Sequence, residues 1–123
     1  MAYDLIKKTL DVSVLRHNAI SSNIANVNTP NYKVNKVEFE KFLGEAKVDM
    51  NMTRTNVMHF GLKTIDEIQP VLEKRTGTSM NDNGNNVDID MEMAELAANE
   101  IYHSTLIQQI NSRLGNLNYV INK

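Results

Sequence analysis

The stretch Ile89–Ile121, IDMEMAELAANEIYHSTLIQQINSRLGNLNYVI, decides the fold. Met93, Leu96, Glu100, His103, Ile107, Ile110, Leu114, Leu117 and Ile121 recur at alternating steps of three and four, a heptad seam over four repeats. Its second half is wholly apolar. Asp88, Asp90, Glu92 and Glu95 crowd the start, whereas Arg113 and Lys123 lie towards the end, the order that suits the helix dipole. Asp88 or Asp90 is placed to cap the free N–H groups of the first turn. At about 1.5 Å per residue this helix is on the order of 50 Å long. A helix with so long an apolar row needs a partner.

The partner is found at the other end of the chain. From about Tyr3 to Val27, Ile6, Leu10, Val14, His17, Ile20, Ile24 and Val27 follow helical spacing, and Leu5, Val12, Leu15 and Ala19 widen the face. This helix is about 35 Å long. It stops at Thr29-Pro30, where proline lacks an N–H and pushes its predecessor out of the α region. The faces are broader than one partner helix needs. Between the helices, residues 34–86 mix scattered apolar side chains (Val37, Phe39, Phe42, Leu43, Met50, Met52, Val57, Met58, Phe60) with charges. A short helix near 38–47 and a strand beginning at Pro70-Val71-Leu72 are the only elements expected there. Gly77–Asn86 offers almost nothing to bury and reads as a turn or mobile loop. The expected fold is mainly α, with long terminal helices pairing as a coiled-coil-like bundle around an irregular or weakly β middle. Its three parts, 1–33, 34–86 and 87–123, form one unit.

Composition removes most chemistry. The chain has 123 residues and no Cys, so disulfides, thiolate zinc sites and thiol nucleophiles are excluded. Net charge is −2, being +2 over 1–33, −1 over 34–86 and −3 over 87–123, which is too balanced to suggest a nucleic-acid partner. No apolar run approaches about 18 residues, so no direct membrane span is expected. Asp11, Arg16 and His17 interrupt what a secretory signal would keep apolar. His17, His59 and His103 lie far apart, and two of them sit on helical faces where packing is the ordinary role. Asn81–Asn86 lacks calcium-loop spacing, and no phosphate loop, nucleophile elbow or paired-His motif occurs. The seven Met read as adaptable packing. No enzyme, metal or cofactor is expected.

One segment is more specific. In Ser21-Ser22-Asn23-Ile24-Ala25-Asn26-Val27-Asn28-Thr29-Pro30-Asn31-Tyr32, four amides gather where an apolar helix closes. Asparagine side chains bond the last free carbonyls and tolerate the left-handed conformation of a helix exit. Pro30 fixes the turn, and Tyr32 gives the departing chain a ring with a polar tip. The run resembles the N-terminal signature of the bacterial flagellar rod and hook family, A-N-N-L-A-N-x-N-T-P-G-Y, at Asn23, Ala25, Asn26, Asn28, Thr29, Pro30 and Tyr32, with Ile24 for Leu. It departs at Asn31, where the family has Gly. Asn is the next most tolerant residue there. Gly84–Ala97 (GNNVDIDMEMAELA) is similar to the segment that opens the C-terminal helix in basal-body proximal rod proteins of the FlgB type, and the short middle fits that group.

The resemblance implies a structural subunit whose terminal helices stack into an axial tube, serving as drive shaft and export channel. It implies exit from the cell largely unfolded through the flagellar type III export apparatus, and residence in the basal body, in the periplasm where one exists. Implied partners are copies of itself, other rod proteins, a FliE-type adaptor, the MS-ring and the export apparatus. Ile6, Leu10, Ile24, Leu96, Ile107, Ile110, Leu114, Leu117 and Ile121 are the expected packing seam. A FlgC-type rod protein, and a soluble helical adaptor or secretion chaperone, are the alternatives.

Overall fold

The computed structural model describes residues 2–44 and 68–122. Met50, Met52, Val57, Met58, His59 and Phe60 lie outside them. Helix α1 spans Ala2–Ala25, strand β1 Asn35–Glu38, strand β2 Val71–Lys74, and helix α2 Ile89–Ile121. The fold is mainly helical, with the two long helices packed together and a small two-stranded sheet between them in sequence. Of the short helix expected near 38–47, a helical stretch over 40–44 falls within the described residues.

Helix α2 starts as its sequence requires. Asp88 adopts an extended conformation, the usual one for a residue capping a helix N-terminus. Its Oδ1 accepts from the N–H groups of Asp90 (3.1 Å) and Met91 (3.2 Å). Helix α1 ends at Ala25, two residues before the expected Val27. The Asn26 side chain donates to the Ser22 carbonyl at 2.7 Å, beside the Asn26 main-chain N–H at 3.1 Å. With that carbonyl shared, the ladder tightens: Asn26 and Val27 N–H reach back to Asn23 and Ile24 oxygens, three residues behind. Asn31 then turns the chain with φ of 58°.

Strands β1 and β2 pair antiparallel, with Asn35 opposite Lys74 and Glu38 opposite Val71. One face of β1 is buried and β2 is exposed throughout. Beneath β1 lies the apolar core: Val12 and Ala19 from α1, Val37, Phe39 and Ile68, with Leu15, Phe42 and Leu43 packed against it. Phe39 is its largest fully buried member.

The helices run antiparallel. Asn23 of α1 bonds Glu92 of α2 (3.0 Å), and Ser13 of α1 meets both Asn99 (2.9 Å, through the Ser13 carbonyl) and His103 (2.7 Å). The inner face of α2 is Glu92, Leu96, Asn99, His103, Leu106 and Ile110, buried or half-buried, while every residue from 111 to 122 is exposed. This inner row shares Leu96, His103 and Ile110 with the heptad read from sequence, but takes Glu92, Asn99 and Leu106 where that reading has Met93, Glu100 and Ile107. On α1 the buried set is Ile6, Thr9, Val12, Ser13, Ala19, Ile20 and Asn23, whereas Val14 and His17 are exposed. The small hydroxyls turn inward because each finds an acceptor on its own helix. Thr9 donates to the Leu5 carbonyl (2.7 Å) and Ser13 to that of Leu10 (2.9 Å). Small residues there let α2 approach closely.

Gly77–Asn86, expected to bury almost nothing, is bonded into the fold. Asn85 and Asn86 are buried. Their polarity hid their burial, since polar side chains go inside only when every partner is supplied.

Candidate functional site

Two features carry the candidate function: a knot of asparagines where α1 ends, and an uncovered apolar row on α2.

Asn23 is fully buried and uses all its bonding capacity. Its Oδ1 accepts from the Asn35 N–H (2.9 Å) and the Tyr32 hydroxyl (3.3 Å). Its Nδ2 donates to the Asn35 carbonyl (2.9 Å) and to Glu92 Oε2 (3.0 Å). By bonding both main-chain groups of Asn35, the side-chain amide stands in for a neighbouring strand along the free edge of β1. Only an amide of this length supplies donor and acceptor together. Tyr32 also accepts from Asn35 Nδ2 (3.1 Å) and contacts Ser22 Oγ (3.2 Å). One carboxylate, Glu92, is thereby held against the knot and buried. It lies in the first turn of α2, where the helix dipole favours a negative charge.

Asn85 closes the knot from the far side. Its Nδ2 lies 2.9, 2.9 and 2.8 Å from the carbonyls of Asn26, Val27 and Thr29, and its Oδ1 accepts from the Val87 N–H (2.7 Å). The carbonyls of the exit turn that follows α1 are therefore gathered by a residue about 58 positions downstream. Asn86 does for β1 and β2 what Asn23 does for the free edge: its Oδ1 accepts from Val34 N–H (2.7 Å) and its Nδ2 donates to the Arg75 carbonyl (2.7 Å). Lys33 Nζ ties the loop down through the carbonyls of Thr78 (3.0 Å) and Gly84 (2.6 Å).

The expected motif residues divide by role. Asn23, Asn26 and Tyr32 bond within the knot; Thr29 donates to Asn26 Oδ1 (3.0 Å); Ile24 is half-buried; Ala25, Asn28 and Pro30 are exposed. Asn85, Asn86, Asn35 and Glu92 were not singled out from sequence as bonding partners. The signal available was the run Gly84-Asn85-Asn86, an amide pair placed directly before a helix cap.

Of the expected seam, Ile6 is buried and Leu10, Ile24, Leu96 and Ile110 are half-buried. Ile107, Leu114, Leu117 and Ile121 are 38%, 45%, 56% and 71% exposed. In the single chain these four form an apolar row with nothing among the described residues to cover it. Val14 of α1, also exposed, lies beside a groove of about 390 Å³ shared with His17, Asn99, Glu100, His103 and Ser104.

His17 and His103 thus flank one groove, and His59 lies outside the described residues. Ser13 Oγ lies 2.7 Å from His103 Nδ1 and 2.9 Å from the Leu10 carbonyl oxygen, so the one hydroxyl is shared between two partners on facing helices. Among the described residues, no three His, Asp or Glu side chains converge as metal ligands, and no helix is long and apolar enough to cross a membrane.

Arg16 joins α1 to the turn after β1, bonding Glu40 Oε1 (3.0 Å) and Oε2 (2.8 Å) and the Val37 carbonyl (3.4 Å). Partial burial works to raise the Glu40 carboxyl, but the Arg16 hydrogen bond and charge, together with backbone hydrogen bonds at Glu40 and Phe39, outweigh it and hold it below the ordinary value. Burial and the nearby Glu40 charge push the Tyr102 hydroxyl up.

Comparison with known proteins gives the chain its relatives. The family model for flagella basal body rod proteins matches residues 15–33, the second half of α1 and its exit turn. The flagellar basal body rod protein FlgB of Bacillus subtilis is 33% identical over 116 residues, 94% of this chain and 89% of that protein. That of Borreliella burgdorferi is 40% identical over 109 residues, 81% of each chain. That of Aeromonas hydrophila is 29% identical over 122 residues, 94% of this chain and 89% of that one.

Proposed function

This chain belongs to the FlgB family of flagellar basal body rod proteins, and from that premise we propose how its two helices build a rod. It is a structural subunit of the basal body rod, assembled with other flagellar components, and the adaptor or chaperone reading is not favoured. In our reading it occupies the proximal rod. The asparagine knot fixes the angle at which α1 leaves the helix pair, and the apolar row of α2 is the surface given to neighbours.

The observation that carries this reading is the row Ile107, Leu114, Leu117 and Ile121, apolar at heptad spacing yet exposed. A lone folded subunit gains nothing from it. Covered by neighbours in a heterologous contact that does not close on itself, it generates a helical tube. Copies of this chain, other rod proteins, a FliE-type adaptor and the MS-ring are the neighbours we propose, reached after export in a largely unfolded state through the flagellar export apparatus. The role is mechanical and calls for no cofactor or catalytic side chain. In a cell with a periplasm, the rod stands there.

The test is electron microscopy of cell envelopes from a strain lacking this chain, beside one complemented with the parent and one with Leu114→Asp. Inner-membrane rings without rod, hook or filament are expected in the deletion and the variant, with purified L114D keeping the helicity of the parent. Normal rods and hooks in the deletion overturn the proximal-rod role. A normal rod built from L114D overturns the assigned surface.

A further inference from the structure

We propose that Asn83 is a site of spontaneous deamidation which folding closes, so that the modification marks time spent unfolded. The inference does not depend on the rod reading. Of the 17 asparagines in the chain, Asn83 alone is followed by glycine. Gly84 has no Cβ to shield its main-chain nitrogen. In a flexible chain that nitrogen, after losing its proton to solvent base, attacks Asn83 Cγ. The bond from Cγ to the side-chain nitrogen breaks and ammonia leaves, giving a five-membered succinimide. Water then opens the ring at one of two bonds. Cleavage between Cγ and nitrogen gives aspartate at this position. Cleavage between the main-chain carbonyl carbon and nitrogen gives isoaspartate, with the backbone rerouted through Cγ. No redox partner is needed.

In the folded chain both reacting groups are engaged. The Gly84 N–H donates to the Asn81 carbonyl at 3.0 Å, and Asn83 Oδ1 accepts from the Asn85 N–H at 3.1 Å. The side chain is bonded past Gly84 to the residue beyond it, and the nitrogen that must attack keeps its proton in a turn. Asn83 is exposed, so water reaches it; geometry, not access, closes the site.

The two products differ in what they leave standing. The aspartate product retains an oxygen for the Asn85 N–H, and it retains the main-chain carbonyl that accepts from Asn31 N–H at 2.9 Å. Isoaspartate moves that carbonyl carbon off the main chain and lengthens the loop by one carbon, two residues from Asn85. Asn85 is then carried off the carbonyls of Asn26, Val27 and Thr29.

Purified full-length protein is incubated at mildly alkaline pH across a urea series, with helicity followed by circular dichroism. Conversion at position 83 is followed by peptide mass spectrometry and by isoaspartate methyltransferase labelling. The rate is expected to rise about tenfold or more as helicity is lost, since reaction requires the loop to open. Asn83→Ser, which keeps a short acceptor for Asn85, should abolish both signals in that peptide. After refolding, isoaspartate should be depleted from the helical fraction and the aspartate product retained in it. No conversion at Asn83 in high urea overturns the site. A rate unchanged across the transition overturns its closure by folding, and equal recovery of both products overturns the link to Asn85.

Discussion

At the scale of single residues, the fold rests on amides whose two ends are both used. Asn23 shows why no other side chain replaces it. Alanine would leave the main chain of Asn35 and the buried Glu92 without their partner, at a cost of about 3 kcal/mol. Aspartate would do worse, because it cannot donate and sets a second carboxylate beside Glu92. In urea titrations followed by circular dichroism, N23D should therefore unfold at lower denaturant than N23A. The opposite order would remove the Glu92 contact from the account. A second residue-scale pair is Asn31 and Gly84, across the same turn. Gly84 has φ of +80°, and a Cβ there would stand 2.6 Å from Asn31 Oδ1. Gly84→Ala should destabilise by about 1–3 kcal/mol. Asn31→Gly, which removes the obstructing side chain, should return part of that loss in a double-mutant cycle. Simple additivity would mean that backbone strain at Gly84 is the whole effect.

At the scale of elements, the helices were legible in the sequence and their contact faces only in part. Period placed α2 within its bounds, and the acidic first turn narrowed its cap to Asp88 or Asp90, of which Asp88 caps the helix. Periodicity weighs apolar residues, however, and α1 and α2 are bonded through Ser13, Asn23, Glu92 and Asn99, which a hydrophobic pattern discards. Val14 and Met93 looked internal for the same reason and are exposed. The strand at Val71 was foreshadowed by its residues, whereas its pairing with Asn35–Glu38 depends on Asn86 bonding across Val34 and Arg75, information spread over 52 positions. The link between α1 and the helical stretch at 40–44 is electrostatic and so depends on pH. The Glu40 carboxyl is held below its ordinary value in the fold. The Arg16–Glu40 pair therefore contributes fully above that ordinary value and is lost as pH falls through the lowered one. More than half of the Glu40 side chain is open to solvent, which screens the pair and keeps its contribution small. Glu40→Gln should flatten part of the acid limb of stability against pH while changing little near neutrality. An unchanged acid limb would place the acid sensitivity elsewhere.

At the scale of the whole molecule, the chain divides into a bonded end and a bare end. Around the knot, buried amides, the Phe39 core and the start of α2 support one another; from 111 to 122 α2 presents exposed side chains on every face. Amide hydrogen exchange on the unassembled protein should show this as a gradient, with strong protection at 92–106 and rapid exchange beyond about 111. Uniform protection along α2 would mean that its distal half is covered in solution, as in a stable oligomer. The clasp of Asn85 on the carbonyls of Asn26, Val27 and Thr29 also governs when the fold comes into being. Helix α1 is made before its partners, for the groups that finish it lie far downstream, at 85 and 92. A ribosome delivers residues in order, so α1 waits, unpaired, until α2 begins to emerge. The later-made residues are what permit the earlier-made helix to settle, and a chain interrupted before Asn85 holds an apolar helix with no completed end.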